Sequence, residues 1–94
     1  MPTFAVTYQY SAAPEQLAEI RPVHREWLAQ ELAAGNLLAS GPMVDVPAAL
    51  LIWQADDATQ LAAKLDHDPF DIAGFISERI IEEWNPVFGP WSNS

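Results

Sequence analysis

Cysteine is absent from the 94 residues. That excludes disulfides, zinc–thiolate sites and thiol catalysis, and it fits a reducing compartment. Basic residues are scarce: 4 Lys and Arg stand against 13 Asp and Glu, for a formal charge of −9. A phosphate-binding face needs clustered cations, whereas Arg21, Arg25, Lys64 and Arg79 are scattered along the chain, so nucleic acid is not an expected partner. The same balance disfavours an anionic membrane surface. No apolar run approaches the ~20 residues of a membrane span, and the N-terminus lacks the basic flank and apolar length of a signal peptide. A cytoplasmic protein is expected. Repeats, low-complexity tracts and internal linkers are missing, as are a phosphate-cradling glycine loop, a serine-nucleophile elbow and a dinucleotide fingerprint.

Aromatic residues, by contrast, are plentiful: four Trp, four Phe and two Tyr. A chain of this length buries only roughly 60–65% of the surface its unfolded form exposes, so one copy alone is marginally stable. Aromatics that one small core cannot hide tend to lie at interfaces. The length fits a single domain over residues 1–94, with 85–94 as a surface-lying tail.

From Thr3 to Tyr10 the chain alternates Phe4, Val6, Tyr8 and Tyr10 with Thr3, Ala5, Thr7 and Gln9, the period of a half-buried strand. Pro14 suits the first turn of a helix, in which Leu17, Ile20, His24, Leu28 and Leu32 form one stripe. Pro22 removes a backbone donor within it and predicts a kink or a restart. Gly35-Asn36 is a stop signal. A short strand is expected at Leu37–Ser40, ended by Gly41-Pro42. A second runs over Ala48–Gln54, with Ala49, Leu51 and Trp53 on one face and Leu50 and Ile52 on the other. Asp56 or Asp57 caps the next helix, whose inner stripe is Ala58, Leu61, Ala62 and Leu65 and which ends by His67. β-branched residues in Phe75–Trp84 favour a last strand. The order β-α-β-β-α-β fits a ferredoxin-like α+β fold with a four-stranded antiparallel sheet. Two helices cover one face of such a sheet, yet Ala48–Gln54 is apolar on both. A symmetric partner is the simplest cover for the other face, so a homodimer is expected.

His24 is the first candidate for chemistry, because an imidazole is the usual general acid or base near neutral pH. Its spacing alone leaves two readings open: a catalytic group held by a carboxylate, or a core-edge histidine bonded to a backbone carbonyl. Asp66, His67, Asp68 and Asp71 superficially resemble metal ligands, but consecutive residues point in different directions and no second cluster completes the set. No metal or other cofactor is expected; His67 reads as a surface cation at a helix C-terminus and Asp68 as a turn-initiating carboxylate. Arg21 lies three residues before His24, where it either holds an anionic substrate group or pairs with Glu19 or Glu26.

Arg21-Pro22-Val23-His24, then Gly35, Ser40-Gly41-Pro42, and Asp68-Pro69-Phe70 with Gly74 close behind together resemble the YCII (YciI-like) family from Phe4 to about Trp84. The resemblance implies a ferredoxin-like domain that dimerises sheet to sheet as a dimeric α+β barrel, with a cleft near the subunit boundary. It assigns the active-site pair to His24 and Asp68. Arg21, Ser40, Gly41 and Phe70 are the candidate substrate-binding residues beside that pair, Phe70 with a strand tryptophan as an apolar wall. The resemblance also implies small, often aromatic or phenolic, substrates; YCII-like members are associated with dehydrohalogenation of chlorinated aromatics. Two features depart from the family pattern. Arg25 and Glu26 replace apolar residues after the histidine, and Glu78, Glu82 and Glu83 make the last strand acidic. Two functions follow as expectations: proton-transfer catalysis of an elimination, isomerisation or hydrolysis by a His–Asp pair, or a non-catalytic small-molecule-binding or accessory dimerisation module.

Overall fold

The computed structural model describes residues 1–92. Strand β1 (Thr3–Tyr10) is followed by helix α1 (Pro14–Ala33), the strands β2 (Leu37–Pro42) and β3 (Ala48–Gln54), the helices α2 (Ala58–Leu65) and α3 (Pro69–Ile72), and strand β4 (Ile76–Trp84). The four strands form one antiparallel sheet in the order β2-β3-β1-β4. This is the ferredoxin-like α+β layout that the order of elements predicts.

The alternation in β1 becomes a core. Phe4, Val6 and Tyr8 share a face with Ala49, Leu51 and Trp53 of β3, and Leu61 and Leu65 of α2 close over them. α1 lies over the β2 side of the sheet and against α3, while α2 lies over β4. Trp27 and Leu28 of α1 pack on the same core half-buried. The rest of the α1 stripe contributes less than its spacing predicts. Leu17 and Ile20 are only partly covered, and Leu32 is 56% exposed. In α2, Ala58 is exposed, leaving Leu61 and Leu65 as the inner contacts.

Three local expectations are corrected. α1 runs unbroken through Pro22 rather than restarting there. β2 does not end at Ser40 but continues through Gly41 and Pro42; as an edge strand it has one side free of partners, so a proline is tolerated. Asp68-Pro69 is more than a turn, since Asp68 caps the short helix α3 with Pro69 in its first position. Elsewhere the start and stop signals hold. Pro14 opens α1, Asp57 caps α2 by accepting from the Gln60 amide at 2.8 Å, and Gly35 ends α1 with φ +82°. Beyond β4, Trp91 meets Trp84 edge-on at 6.5 Å. Residues 93 and 94 of the expected tail lie outside the described residues.

Candidate active site

The site is built around Asp68. Its backbone is extended, as a residue before proline prefers, and its side chain turns back to accept from the Phe70 amide at 2.8 Å through Oδ1. The other oxygen, Oδ2, accepts from the Tyr8 hydroxyl at 2.9 Å and lies 3.2 Å from His24 Nε2. Asp68 is fully buried, and its oxygens take hydrogen bonds from the Tyr8 hydroxyl and the Phe70 amide besides the contact with the His24 ring. In the tautomer that carries its proton on Nε2, His24 donates to Asp68 and the lone pair sits on Nδ1. Among the described residues Nδ1 has no hydrogen-bond partner, and it is not a sealed polar atom.

Four elements bring these groups together. Tyr8 reaches in from β1 on the helix-covered face. His24 is the only buried residue of α1, at 7% exposure. α3 packs on α1 and stacks Phe70 against the imidazole, with centroids 3.9 Å apart and planes inclined by 20°. Phe70 therefore fixes the pair twice, through its amide on Asp68 and through its ring on His24. Trp27, one turn along α1, lies 6.3 Å from the imidazole at 26°. Burial and the Asp68 carboxylate push the Tyr8 phenol far above the ordinary tyrosine range, so it remains a hydrogen-bond donor to Asp68. Tyr10, edge-on to Phe70 at 5.7 Å, is raised by burial and by Asp68 and lowered by the charge of Arg21.

A cleft of about 510 Å³ opens beside the imidazole, a size suited to a small ligand. Helix α1 lines it with Leu17, Arg21, His24, Arg25 and Leu28. Ser40, Gly41 and Pro42 of β2 line the opposite side. The register explains this: Ser40 and Pro42 pair with Leu51 and Ala49, whose side chains face the helices. Tyr10, Phe70 and the 46–49 segment complete the wall. The sequence-derived set of Arg21, His24, Ser40, Gly41 and Phe70 is thus gathered around one cavity, with Asp68 behind His24.

Other expectations fall elsewhere. Arg21 makes no ion pair with Glu19 or Glu26 among the described residues. No strand tryptophan borders the cleft, since Trp53 is sealed in the core and Trp84 lies at the end of β4. Asp71 accepts from Arg79 Nη1 at 2.6 Å, Asp66 forms an ion pair with the same nitrogen at 3.0 Å, and His67 is exposed beyond the end of α2. No group of three or more His, Asp or Glu that could hold a metal ion occurs among the described residues. Tyr8 and Arg25 also border the site; the sequence gives Tyr8 no site role and marks Arg25 only as a departure from the family pattern. Tyr8 reads as one more core aromatic in an alternating strand, and its partner is 60 residues away. Arg25 had a usable signal, its position four residues after Arg21 on one helical face.

Comparison with known proteins agrees with this architecture. No curated protein sequence matches the chain. Among solved structures, 5-chloro-2-hydroxyhydroquinone dehydrochlorinase (TftG) from Burkholderia phenoliruptrix AC1100, in complex with 2,5-dihydroxybenzoquinone, superposes with a TM-score of 0.77; identity is 19%, over 88% of this chain and 93% of that one. A NIPSNAP domain protein from Burkholderia xenovorans gives 0.58 at 15% identity over 100% of both chains. An antibiotic biosynthesis monooxygenase gives 0.54 at 18% identity over 92% of this chain and 100% of that one. At these identities the likeness is one of fold. The sequence model of the YCII-related domain matches residues 1–85, and the chain therefore belongs to the YCII-related domain family.

Proposed function

We propose that the protein is a small-molecule enzyme in which His24 acts as a general base, and then as an acid, on a small cyclic or phenolic substrate held in the cleft. The observation that carries this reading is the 3.2 Å contact between His24 Nε2 and Asp68 Oδ2 at the cavity wall; in the proposed tautomer Nε2 donates to Asp68 and Nδ1 is the basic atom beside the cavity. Asp68 orients the ring and stabilises its cationic form. Tyr8 and the Phe70 amide hold Asp68 in turn. Nδ1 removes a proton from the substrate. In an elimination the electron pair left behind expels the leaving group, so that the proton and leaving group depart together. In an isomerisation the imidazolium returns its proton at a second atom. A base positioned in this way contributes about 10²–10⁴ in rate, and none of these steps requires a cofactor.

Arg21, Ser40, Gly41 and Phe70 serve as substrate-binding groups, with Phe70 the apolar wall. Ring substrates are favoured because the fold is shared with a dehydrochlorinase that binds 2,5-dihydroxybenzoquinone. Chlorinated hydroxyhydroquinones are the first substrates to assay. The chain acts as one such domain with residues 85–94 as its tail, and as a homodimer formed through the sheet face that the helices leave open.

The test is chloride release and quinone formation from 5-chloro-2-hydroxyhydroquinone and related chlorinated hydroquinones by wild-type protein and by His24→Gln, with folding checked by circular dichroism. A loss of 10² or more in kcat is expected for the variant. Undiminished turnover by folded His24→Gln would dispose of the mechanism, and a ligand bound but never altered by the wild type would make this a binding module.

A further inference from the structure

Half of the chain's basic side chains stand at the cleft without a carboxylate partner. Lys64 pairs with Glu31 at 2.7 Å, and Arg79 with Asp66 and Asp71 at 3.0 and 2.6 Å. Arg21 and Arg25 have no carboxylate within 4.0 Å among the described residues, in a chain where 13 acids face 4 bases.

The sequence explains how they stay unpaired. On a helix, side chains three and four apart are neighbours. Those positions around Arg21 are Leu17, Ala18, His24 and Arg25; around Arg25 they are Arg21, Pro22, Leu28 and Ala29. No acid occupies any of them, although Glu15, Glu19, Glu26 and Glu31 lie on the same helix. Two like charges four residues apart repel and gain nothing for the helix. Arg25, moreover, stands where the family pattern leads to an apolar residue. Both arginines line the cavity beside His24, and the charge of Arg21 is felt by the Tyr10 phenol on the same wall.

We infer that Arg21 and Arg25 clamp an anionic oxygen group of the substrate, so that the site selects ionised enolates, phenolates or carboxylates of small rings over neutral molecules of the same shape. This rests on the cleft being the substrate site proposed above and names the charge class it accepts. Guanidinium forks suit the task, since they present paired donors in a plane that matches two substrate oxygens. The placement also answers a problem of the whole molecule. A protein of charge −9 repels anions in bulk, and two unpaired cations reverse that field at one spot. The clamp fixes the ring by its charged edge, with Nδ1 of His24 on the same wall.

The test is calorimetric binding of 2,5-dihydroxybenzoquinone, whose acidic enols are ionised at neutral pH, against 2,5-dimethoxybenzoquinone, the same ring with its charge removed. The protein has no thiol for a quinone to alkylate. Wild type is expected to bind the anion at least about ten-fold more tightly than the ether. Arg21→Gln and Arg25→Gln should each weaken the anion about ten-fold and leave the ether unchanged, while Arg25→Lys recovers part of the loss. Both side chains are exposed, so the fold is not at stake. Equal affinity for the two rings, an anion-to-ether ratio that neither glutamine variant changes, or failure of either ring to bind would overturn the clamp. His24→Ala separates the two ideas. Arginine-dependent anion binding in a protein whose turnover is undiminished by His24→Ala removes the acid–base reading and keeps the clamp. His24-dependent turnover insensitive to both arginines removes the clamp alone.

Discussion

At the scale of single residues, the hydroxyl of Tyr8 has the clearest thermodynamic consequence. Its folded-state ionisation is raised by burial first and by Asp68 second, while in the unfolded chain it titrates near 10.0. Above that pH the unfolded chain has lost a proton that the folded state still holds, so stability falls as pH rises. The contribution is fully present below pH 10 and declines by about 1.4 kcal/mol per pH unit above it, as long as the folded phenol stays protonated. Tyr10 is shifted in the same direction and adds to the slope. Urea unfolding between pH 9 and 11 should show a steep loss in the wild type and a shallower one in Tyr8→Phe. At neutral pH the same variant should be about 1 kcal/mol less stable, having left Asp68 one donor short. An identical alkaline slope in the two proteins would mean that Tyr8 ionises freely. The contrast with His24 and Asp68 shows which part of the site a sequence can reveal. Those two were found through motifs with characteristic neighbours, Arg-Pro-x-His and Asp-Pro-Phe. Tyr8 sits in a run whose alternation is fully explained by packing, so nothing in its surroundings marks its hydroxyl as engaged.

At the scale of elements, turn chemistry decided more than propensity. α1 ends where Gly35 takes φ +82°, a left-handed conformation that side chains avoid, and where the Gly35 and Asn36 amides return to Leu32 and Glu31 carbonyls at 3.1 and 3.0 Å. A methyl group added there would meet nothing within 4 Å. The cost of Gly35→Ala is therefore backbone strain alone, about 1–2 kcal/mol. It should appear as a lower urea midpoint with an unchanged m-value, and a cost below about 0.3 kcal/mol would show that the chain relaxes out of this conformation. Other element boundaries were hidden for physical reasons. β2 continues through Gly41-Pro42 because it is an edge strand, a fact that belongs to the sheet order and not to the local sequence. α3 is four residues long, too short to show a period, and only its cap and proline are visible beforehand. Pro22 predicts a kink or a restart, yet α1 runs unbroken through it. That continuity holds Arg21, His24 and Arg25 on one face.

At the scale of the whole molecule, the sheet face that the helices leave open argues for a second copy over its Leu50–Ile80 part. Register sets Gly41, Leu50, Thr7 and Ile80 in one cross-strand row and Ala39, Ile52, Ala5 and Glu82 in a neighbouring one. Seven of these eight residues are uncharged; Leu50 and Ile80 remain 39% and 41% exposed, while Ile52 is already buried at 6%. This is the face that the doubly apolar sequence of β3 foretold, and two such faces packed together would form the proposed dimer. Charge works against it, since each copy carries −9 and Glu78 and Glu82 lie at the β4 side of the patch. Apolar contact must outweigh repulsion that salt screens, with a Debye length of about 10 Å at 0.1 M and about 30 Å at 0.01 M. Light scattering should accordingly find a dimer that tightens as salt rises from 0.01 to 0.3 M, the opposite of an assembly held by ion pairs. Leu50→Glu, which puts a charge at the centre of the row, should give a monomer with an unfolding temperature lower by several degrees. A wild-type protein that stays monomeric at high salt, or a Leu50→Glu variant that still dimerises, would mean that something other than a second sheet covers this face.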